Sequence, residues 1–203
     1  MSKTYFITGI GTGIGKTIVS SIVTEKLQAD YWKPIQSGDL DQSDSMKVES
    51  LISNSKTVIH QEAFRLTQPL SPHLSAKLDN TDLSIDKLFT PSTDNTLIIE
   101  GAGGLMVPLN DRELLIDYII ALKVEVILVS QNYLGSINHT LLSLELLKAR
   151  NVTVKGIIYN GGSNIETERY INQYSSVEIL GNIPVLDVIT KETIQQAGQY
   201  LKF

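Results

Sequence analysis

Residues 6–20 read FITGIGTGIGKTIVS, a glycine-rich turn set between an apolar run and a helical pattern. The chemistry this arrangement suits is phosphate binding. Glycines let the backbone adopt unusual angles and come close to a ligand, and the N–H groups of such a turn, backed by a helix N-terminus, suit phosphate oxygens. Lys16 then reaches the β- and γ-phosphates, and the Thr17 hydroxyl is a ligand for Mg²⁺. The general phosphate-loop motif has four residues between its glycines. Here five separate Gly9 from Gly15, so the loop is a longer variant. A dinucleotide fingerprint cannot be laid on these glycines with its last glycine correctly spaced.

Acidic and basic residues follow other apolar runs. Glu100 closes Leu97-Ile98-Ile99 and enters Gly101-Ala102-Gly103-Gly104. In a phosphate-loop protein, an acid at the end of a neighbouring strand can hold Mg²⁺. Lys33 and Ser37 lie in WKPIQSG. Pro34 biases Lys33 toward extended backbone, but residue type alone leaves open whether Lys33 neutralises an anion or is solvated. Asp39, Asp41 and Asp44 form an acidic run that also reads as a plain solvated loop. Ser136 is placed to cap the helix that follows, where free N–H groups suit a carboxylate. His139 reads as a capping or packing histidine. Asn160, after KGIIY, is placed to read an adenine edge, although N-G-G by itself is only a turn.

The elements that must position these groups alternate along the chain. Strands are expected at Tyr5–Ile7, Tyr31–Ile35, Leu97–Ile99, Val124–Val129, Val154–Tyr159 and Val177–Leu180. Helices are expected at Lys16–Gln28, near Asp44–Ser53, and at Ser136–Arg150, Glu166–Tyr174 and Lys191–Tyr200. Residues 36–96 are the least regular part, with Pro69 and Pro72 marking turns. Strand–helix alternation predicts an α/β fold, a doubly wound and mainly parallel sheet flanked by helices. The runs at 97–99 and 124–129 lack polar alternation, as strands covered on both faces do. Ligands in such sheets sit beyond the carboxyl ends of the strands. Residues 1–203 are read as a single domain.

Composition bounds the partners. The chain is 42% apolar and 19% charged, with 17 basic and 22 acidic residues and a net charge of −5. That balance argues against a nucleic-acid partner, which usually meets a basic face. There are no cysteines, which removes disulfides, thiolate metal sites and a cysteine nucleophile. With three histidines, a metal is expected on oxygen ligands, and Mg²⁺ is the expectation. No stretch approaches the ~18–20 apolar residues of a membrane span, and the first residues show no secretory signal pattern. A cytoplasmic, soluble protein is the expectation.

The segments ITGIGTGIGKT, WKPIQSG, PLSPH, IIEGAGG, LGSINHTLLSLELL, YNGG and LGNIPVL occur in that order. Together they resemble the dethiobiotin synthetases, ATP-dependent cyclising ligases of biotin biosynthesis with a P-loop NTPase fold. The resemblance spans nearly the whole chain and includes the five-residue loop spacing. It implies that an amine of 7,8-diaminononanoate takes up CO₂ as a carbamate, whose oxygen attacks the γ-phosphate of ATP. The second amine then attacks the resulting anhydride and closes the ureido ring. It also implies roles. Lys16 and Lys33 stabilise phosphoryl and carbamate charge. Thr17, Asp44 and Glu100 hold Mg²⁺. Gly13, Ile14, Gly15, Lys16, Thr17 and Ile18 cradle the phosphates, with Gly101, Ala102 and Gly103 beside them. Ser37 contacts the diamine. Asn160, Gly161, Ile183, Pro184 and Val185 form the adenine pocket. Gly135, Ser136 and Asn138 meet the substrate's carboxylate tail, at an interface between two copies in a homodimer. Gly13 stands where some members carry an acid, and the stretch from Gly38 to Asp44 is short.

Two other classes share parts of the pattern. An amidotransferase-like ligase needs a cysteine nucleophile. A partitioning-type ATPase switch, the alternative of different function, carries a second lysine early in the loop, and Gly9–Ile14 has none. Nor does an N-K-x-D base-reading motif of GTPase switches follow Asn132 or Asn160.

Overall fold

The computed structural model describes residues 3–203. Seven strands form one sheet: β1 (Thr4–Gly9), β2 (Asp30–Trp32), β4 (Ile59–His60), β6 (Leu97–Gly104), β7 (Glu125–Ser130), β8 (Val154–Asn160) and β9 (Ile179–Ile183). Two more, β3 (Ile35–Ser37) and β5 (Phe64–Leu66), pair with each other alongside it. The order in the large sheet is β4-β2-β6-β1-β7-β8-β9, and every pairing between these strands is parallel. From β1 the chain steps outward through β2 to β4, returns to set β6 between β2 and β1, and then crosses β1 to β7, β8 and β9. The expected doubly wound α/β architecture is therefore present, with its strand-order reversal at β1.

The helices are α1 (Lys16–Leu27), α2 (Asp44–Leu51), α3 (Pro72–Leu78), α4 (Leu115–Leu122), α5 (Ser136–Ala149), α6 (Ile165–Ser175) and α7 (Lys191–Ala197). Period-2 alternation decides which layer each strand residue meets. Tyr5 and Ile7 pack with Val19, Ile22 and Val23 of α1 and Ile194 of α7. Phe6, between them, packs with Leu115, Ile116 and Ile119 of α4. Leu128, Ile157 and Tyr159 cover Leu144 of α5 and Ile171 of α6. Both faces of the central strands are thus apolar, which is why they read as continuous hydrophobic runs.

Several boundaries differ from the sequence reading, each for a physical reason. The expected strand Tyr31–Ile35 is two strands in two sheets. Pro34 has no N–H to give a ladder; its carbonyl instead accepts from Phe64 N at 3.0 Å. Strand β6 runs four residues past Glu100, through the glycines to Gly104. Pro72 does not mark a turn but begins α3, where a missing N–H costs nothing. The helix at 115–122 escaped notice because LLIDYIIAL is apolar on most sides and caps without Ser or Thr. Its cap is instead Asp117 Oδ2, which accepts from Leu114 N at 2.9 Å. Strand β9 ends at Ile183, not Leu180.

Candidate active site

The turn after β1 wraps toward the N-terminus of α1. Gly15 occupies the N-cap position at φ 83°, in the left-handed region. A Cβ there would lie 2.1 Å from Asn160 Nδ2, so both angle and space demand glycine. Asn160 Nδ2 donates to Ile14 O at 3.0 Å and ties the end of β8 to the loop. Lys16 is buried and donates to Gly11 O at 2.7 Å. Burial pulls its pKa down to about 8, with Glu100 and Asp44 opposing the fall and Lys33 adding to it. Among the described residues no carboxylate pairs with this ammonium, which leaves its charge open to an anionic ligand.

Next to it lies an interlocked charged cluster. Strand alternation puts Glu100 on the α1 face of β6, the same face as Ile98. Glu100 Oε1 accepts from Thr17 Oγ1 at 2.9 Å and from Lys33 Nζ at 3.1 Å, and its Oε2 accepts from the fully buried Tyr31 hydroxyl at 2.9 Å. Lys33 also pairs with Asp44. Burial opposes the Lys33 charge, but Glu100 and Asp44 outweigh it, and its pKa is raised. For Asp44, burial works against ionisation, yet Lys33 and then Lys47 hold its pKa below the ordinary carboxylate value. Burial and then the Glu100 charge push Tyr31 well up, keeping it a hydrogen-bond donor. Lys33 is therefore not a solvated side chain: only 5% of it is exposed.

The short loop before Asp44 is held from within. Gln36 Nε2 donates to Gly38 O at 2.9 Å, and Gln36 Oε1 accepts from Asp44 N at 3.2 Å. Ser43, the N-cap of α2, donates to the buried Glu62 at 2.7 Å. The reach from Gly38 is thus long enough to bring the Asp44 carboxylate to Lys33.

A cleft of about 800 Å³ opens over this cluster. It is lined by ten of the residues selected from sequence: Gly13, Gly15, Lys16, Thr17, Lys33, Ser37, Asp44, Glu100, Ala102 and Gly103. The other eleven stand apart from it. Ile14 is a core side chain, Ile18 packs partly against the same core, and Gly101 is enclosed in β6 against Phe6 and Leu115. Asn160 and Gly161 end β8, and Gly161 N donates to Ile183 O at 3.0 Å. The Ile183 side chain is core, whereas Pro184 is half-buried and Val185 exposed. At the start of α5, Gly135 rather than Ser136 is the N-cap; Ser136 is buried and its Oγ accepts from Tyr133 N at 3.3 Å. Gly135 and Asn138 are exposed, and His139 accepts or donates at Nδ1 with the Tyr133 hydroxyl at 2.7 Å.

Sequence reasoning missed Thr12, Gln36, Asp39 and the Pro69–Pro72 segment as cleft walls, and Tyr31 as the partner of Glu100. The PLSPH run held a signal for the Pro69–Pro72 segment, a Ser-Pro helix start. Tyr31 carried none, because nothing in a buried strand tyrosine points to a carboxylate 69 residues away.

For the expected metal, the donor set is one hydroxyl and two carboxylates, all hard oxygens, brought to one end of the cleft by Thr17, Asp44 and Glu100. That chemistry fits Mg²⁺. No group of three or more His, Cys, Asp or Glu that could hold a metal ion occurs among the described residues. No helix among the described residues is long and apolar enough to cross a membrane.

Comparison with known proteins follows the same lines. A family model described as AAA domain matches residues 3–193. Among solved structures, the cell division ATPase MinD of Pyrococcus furiosus superposes with a TM-score of 0.64 over 98% of both chains at 11% identity. A ParA family ATPase from Chlorobium tepidum gives 0.62 over 99% of this chain and 100% of that one, at 13% identity. These likenesses show the P-loop ATPase fold alone. Sequence relatives are far nearer. The ATP-dependent dethiobiotin synthetase BioD of Christiangramia forsetii is 53% identical over 183 residues, 90% of this chain and 88% of that protein. Its namesake in Cytophaga hutchinsonii is 48% identical over 95% of this chain and 93% of that one. On a match of this strength along nearly its whole length, the chain belongs to the ATP-dependent dethiobiotin synthetase family.

Proposed function

We propose that the chain carries out ATP-dependent ring closure of 7,8-diaminononanoate with CO₂ to dethiobiotin, using the Lys16–Lys33–Glu100 end of the cleft for phosphoryl transfer. The observation that carries this reading is the pair of buried lysines beside one cleft. Lys16 has no acidic partner and meets phosphate. Lys33 is fixed by Asp44 and Glu100 and faces the charge that develops when carbamate attacks the γ-phosphate.

Every step of the reaction builds negative charge, so preorganised cations are the main resource the protein can offer. Lys16 steadies the transferring phosphoryl group. Lys33, held in place before substrate arrives, steadies the carbamate and the mixed anhydride. Tyr31 orients Glu100 by occupying one of its oxygens. Mg²⁺, held by Thr17, Asp44 and Glu100, would neutralise phosphate charge. Ser37 touches the diamine. Asn160, Gly161, Pro184 and Val185 border the base. The first turn of α5, from Gly135 to Asn138, takes the carboxylate tail. The exposed Met106 and Leu142, which line one groove together, favour a homodimer, since apolar groups clustered on a surface mark contact sites.

Incubation with ATP, Mg²⁺, bicarbonate and 7,8-diaminononanoate tests this directly. Mass analysis is expected to find dethiobiotin in step with ADP. ATP hydrolysis at the same rate with and without the diamine would favour a nucleotide switch instead.

A further inference from the structure

Glu168, in the first turn of α6, is a buried carboxylate that the reaction does not use. Only 5% of it is exposed, and no cation pairs with it among the described salt bridges. Four neutral donors surround it. Its Oε1 accepts from Asn132 Nδ2 and from Asn164 N, each at 2.8 Å. Its Oε2 accepts from Ser163 Oγ at 3.1 Å and Asn182 Nδ2 at 2.6 Å. The N-terminal end of α6 supplies a dipole that favours the charge.

These donors come from three separate places: the segment after β7, the loop after β8 and the body of β9. All lie toward the carboxyl ends of the strands, where a ligand of this fold sits. The loop after β8 most needs holding. Gly161 and Gly162 follow one another at φ 91° and 108°, and two glycines in succession leave the backbone little stiffness of its own. Asn132 Nδ2 spans the gap, donating to Gly162 O at 3.0 Å as well as to Glu168. Ser163 and Asn164 fix the other side. Glu168 is the one group that all of these restraints share.

We infer that Glu168 is a positioning residue for the nucleotide base: it locks the Gly161–Asn164 loop and the flanking Asn132 and Asn182 into a preformed wall. This rests on the proposed placement of the base beside Asn160 and Gly161. A carboxylate can accept from all four donors at once. In Glu168→Gln one oxygen becomes an NH₂ that faces donors, so one side of the wall loses its anchor. The ordering then has to be supplied by the ligand and appears as lost affinity. The phosphate loop, which Glu168 does not touch, is unaffected.

The test is calorimetric titration of the full chain with a non-hydrolysable ATP analogue and with inorganic tripolyphosphate, both with Mg²⁺. Steady-state kinetics accompany it. Glu168→Gln is expected to bind the analogue about tenfold more weakly, the scale of a hydrogen bond to a charged group. Its tripolyphosphate affinity and its kcat at saturating ATP should stay within about twofold, so the loss appears in KM. Ser163→Ala, which removes one exposed anchor, should weaken the analogue two- to threefold in the same sense. It carries the test if Glu168→Gln does not fold. Unchanged affinity for the analogue in the folded variants overturns the inference. So does an equal loss for analogue and tripolyphosphate, which would mean a general structural role. Wild-type protein that binds tripolyphosphate as tightly as the analogue would instead sink the base-site reading beneath it.

Discussion

The phosphate end of the cleft and the start of α5, which lies outside that cleft, are built by opposite means. At the phosphate end, charge holds charge: Lys33 bridges Asp44 and Glu100, Tyr31 and Thr17 donate to Glu100, and Lys33, Glu100 and Tyr31 are buried. At the start of α5, proposed above to take the substrate tail, Gly135 and Asn138 are exposed, and a Cβ on Gly135 would meet nothing within 4 Å. The first region is complete within one chain and is already arranged for its task. The second is an open surface. The difference teaches that the groups proposed for the chemical step are held by one another, whereas those proposed for the substrate tail are not. It also predicts unequal responses to mutation.

The largest effect belongs to Lys16→Ala. Lys16 has no acidic partner, so its loss should leave the melting temperature near that of the wild type while turnover falls by ~10²-fold or more. Thermal unfolding and product formation on one preparation check both halves. Tyr31→Phe comes next. It removes the donor to Glu100 Oε2 at 2.9 Å and should weaken Mg²⁺–nucleotide binding roughly tenfold, the low end for loss of a group that orients a metal ligand. Affinity equal to wild type would mean Glu100 is held well enough by Thr17 and Lys33 alone.

A pH series sharpens the same contrast. The free-state pKa of Lys16 lies near 8, and a bound phosphate raises it. Above pH 8 the ligand must therefore bring a proton with it, and nucleotide affinity should fall by up to about tenfold per pH unit until the bound-state pKa is reached. Below pH 8 this dependence disappears. Calorimetry in buffers of differing ionisation enthalpy should show proton uptake at pH 8.5. The smallest effect is expected in the open region. Asn138→Ala should raise KM for the diamine about threefold, the scale of one exposed hydrogen bond, and leave nucleotide affinity alone. A loss of nucleotide affinity there would break the division between the two regions.

The same division governed what could be read from sequence. The phosphate end was legible because its chemistry is local: a glycine loop, Lys16 and Thr17 follow one another on one turn, and Glu100 ends a strand that announces itself as buried. The sheet was legible for the same reason, since β1, β6, β7 and β8 are covered on both faces and read as unbroken apolar runs. What stayed hidden depends on contacts between distant residues. Tyr31 meets Glu100 only because β2 and β6 pair in register. Pro34 moves Ile35–Ser37 into a second sheet through a carbonyl bond to Phe64, which no local pattern signals. Lys33 was open between solvent and site until Asp44 was seen to reach it across the short loop. Glu168 carries no local signal, because its partner Asn132 lies 36 residues away in the chain.

The central claim is that Lys33 faces the developing anion and does not merely hold the fold together. Lys33→Gln with nucleotide affinity and kcat measured on the same folded sample tests it most directly. The account predicts that affinity for ATP measured without Mg²⁺ stays within about threefold, because the phosphate-loop and base contacts lie elsewhere, while kcat for dethiobiotin falls ~10²-fold, since an interaction strengthened in the transition state is lost. A folded Lys33→Gln protein that forms dethiobiotin at the wild-type rate, or one that loses nucleotide affinity as steeply as turnover, would contradict it.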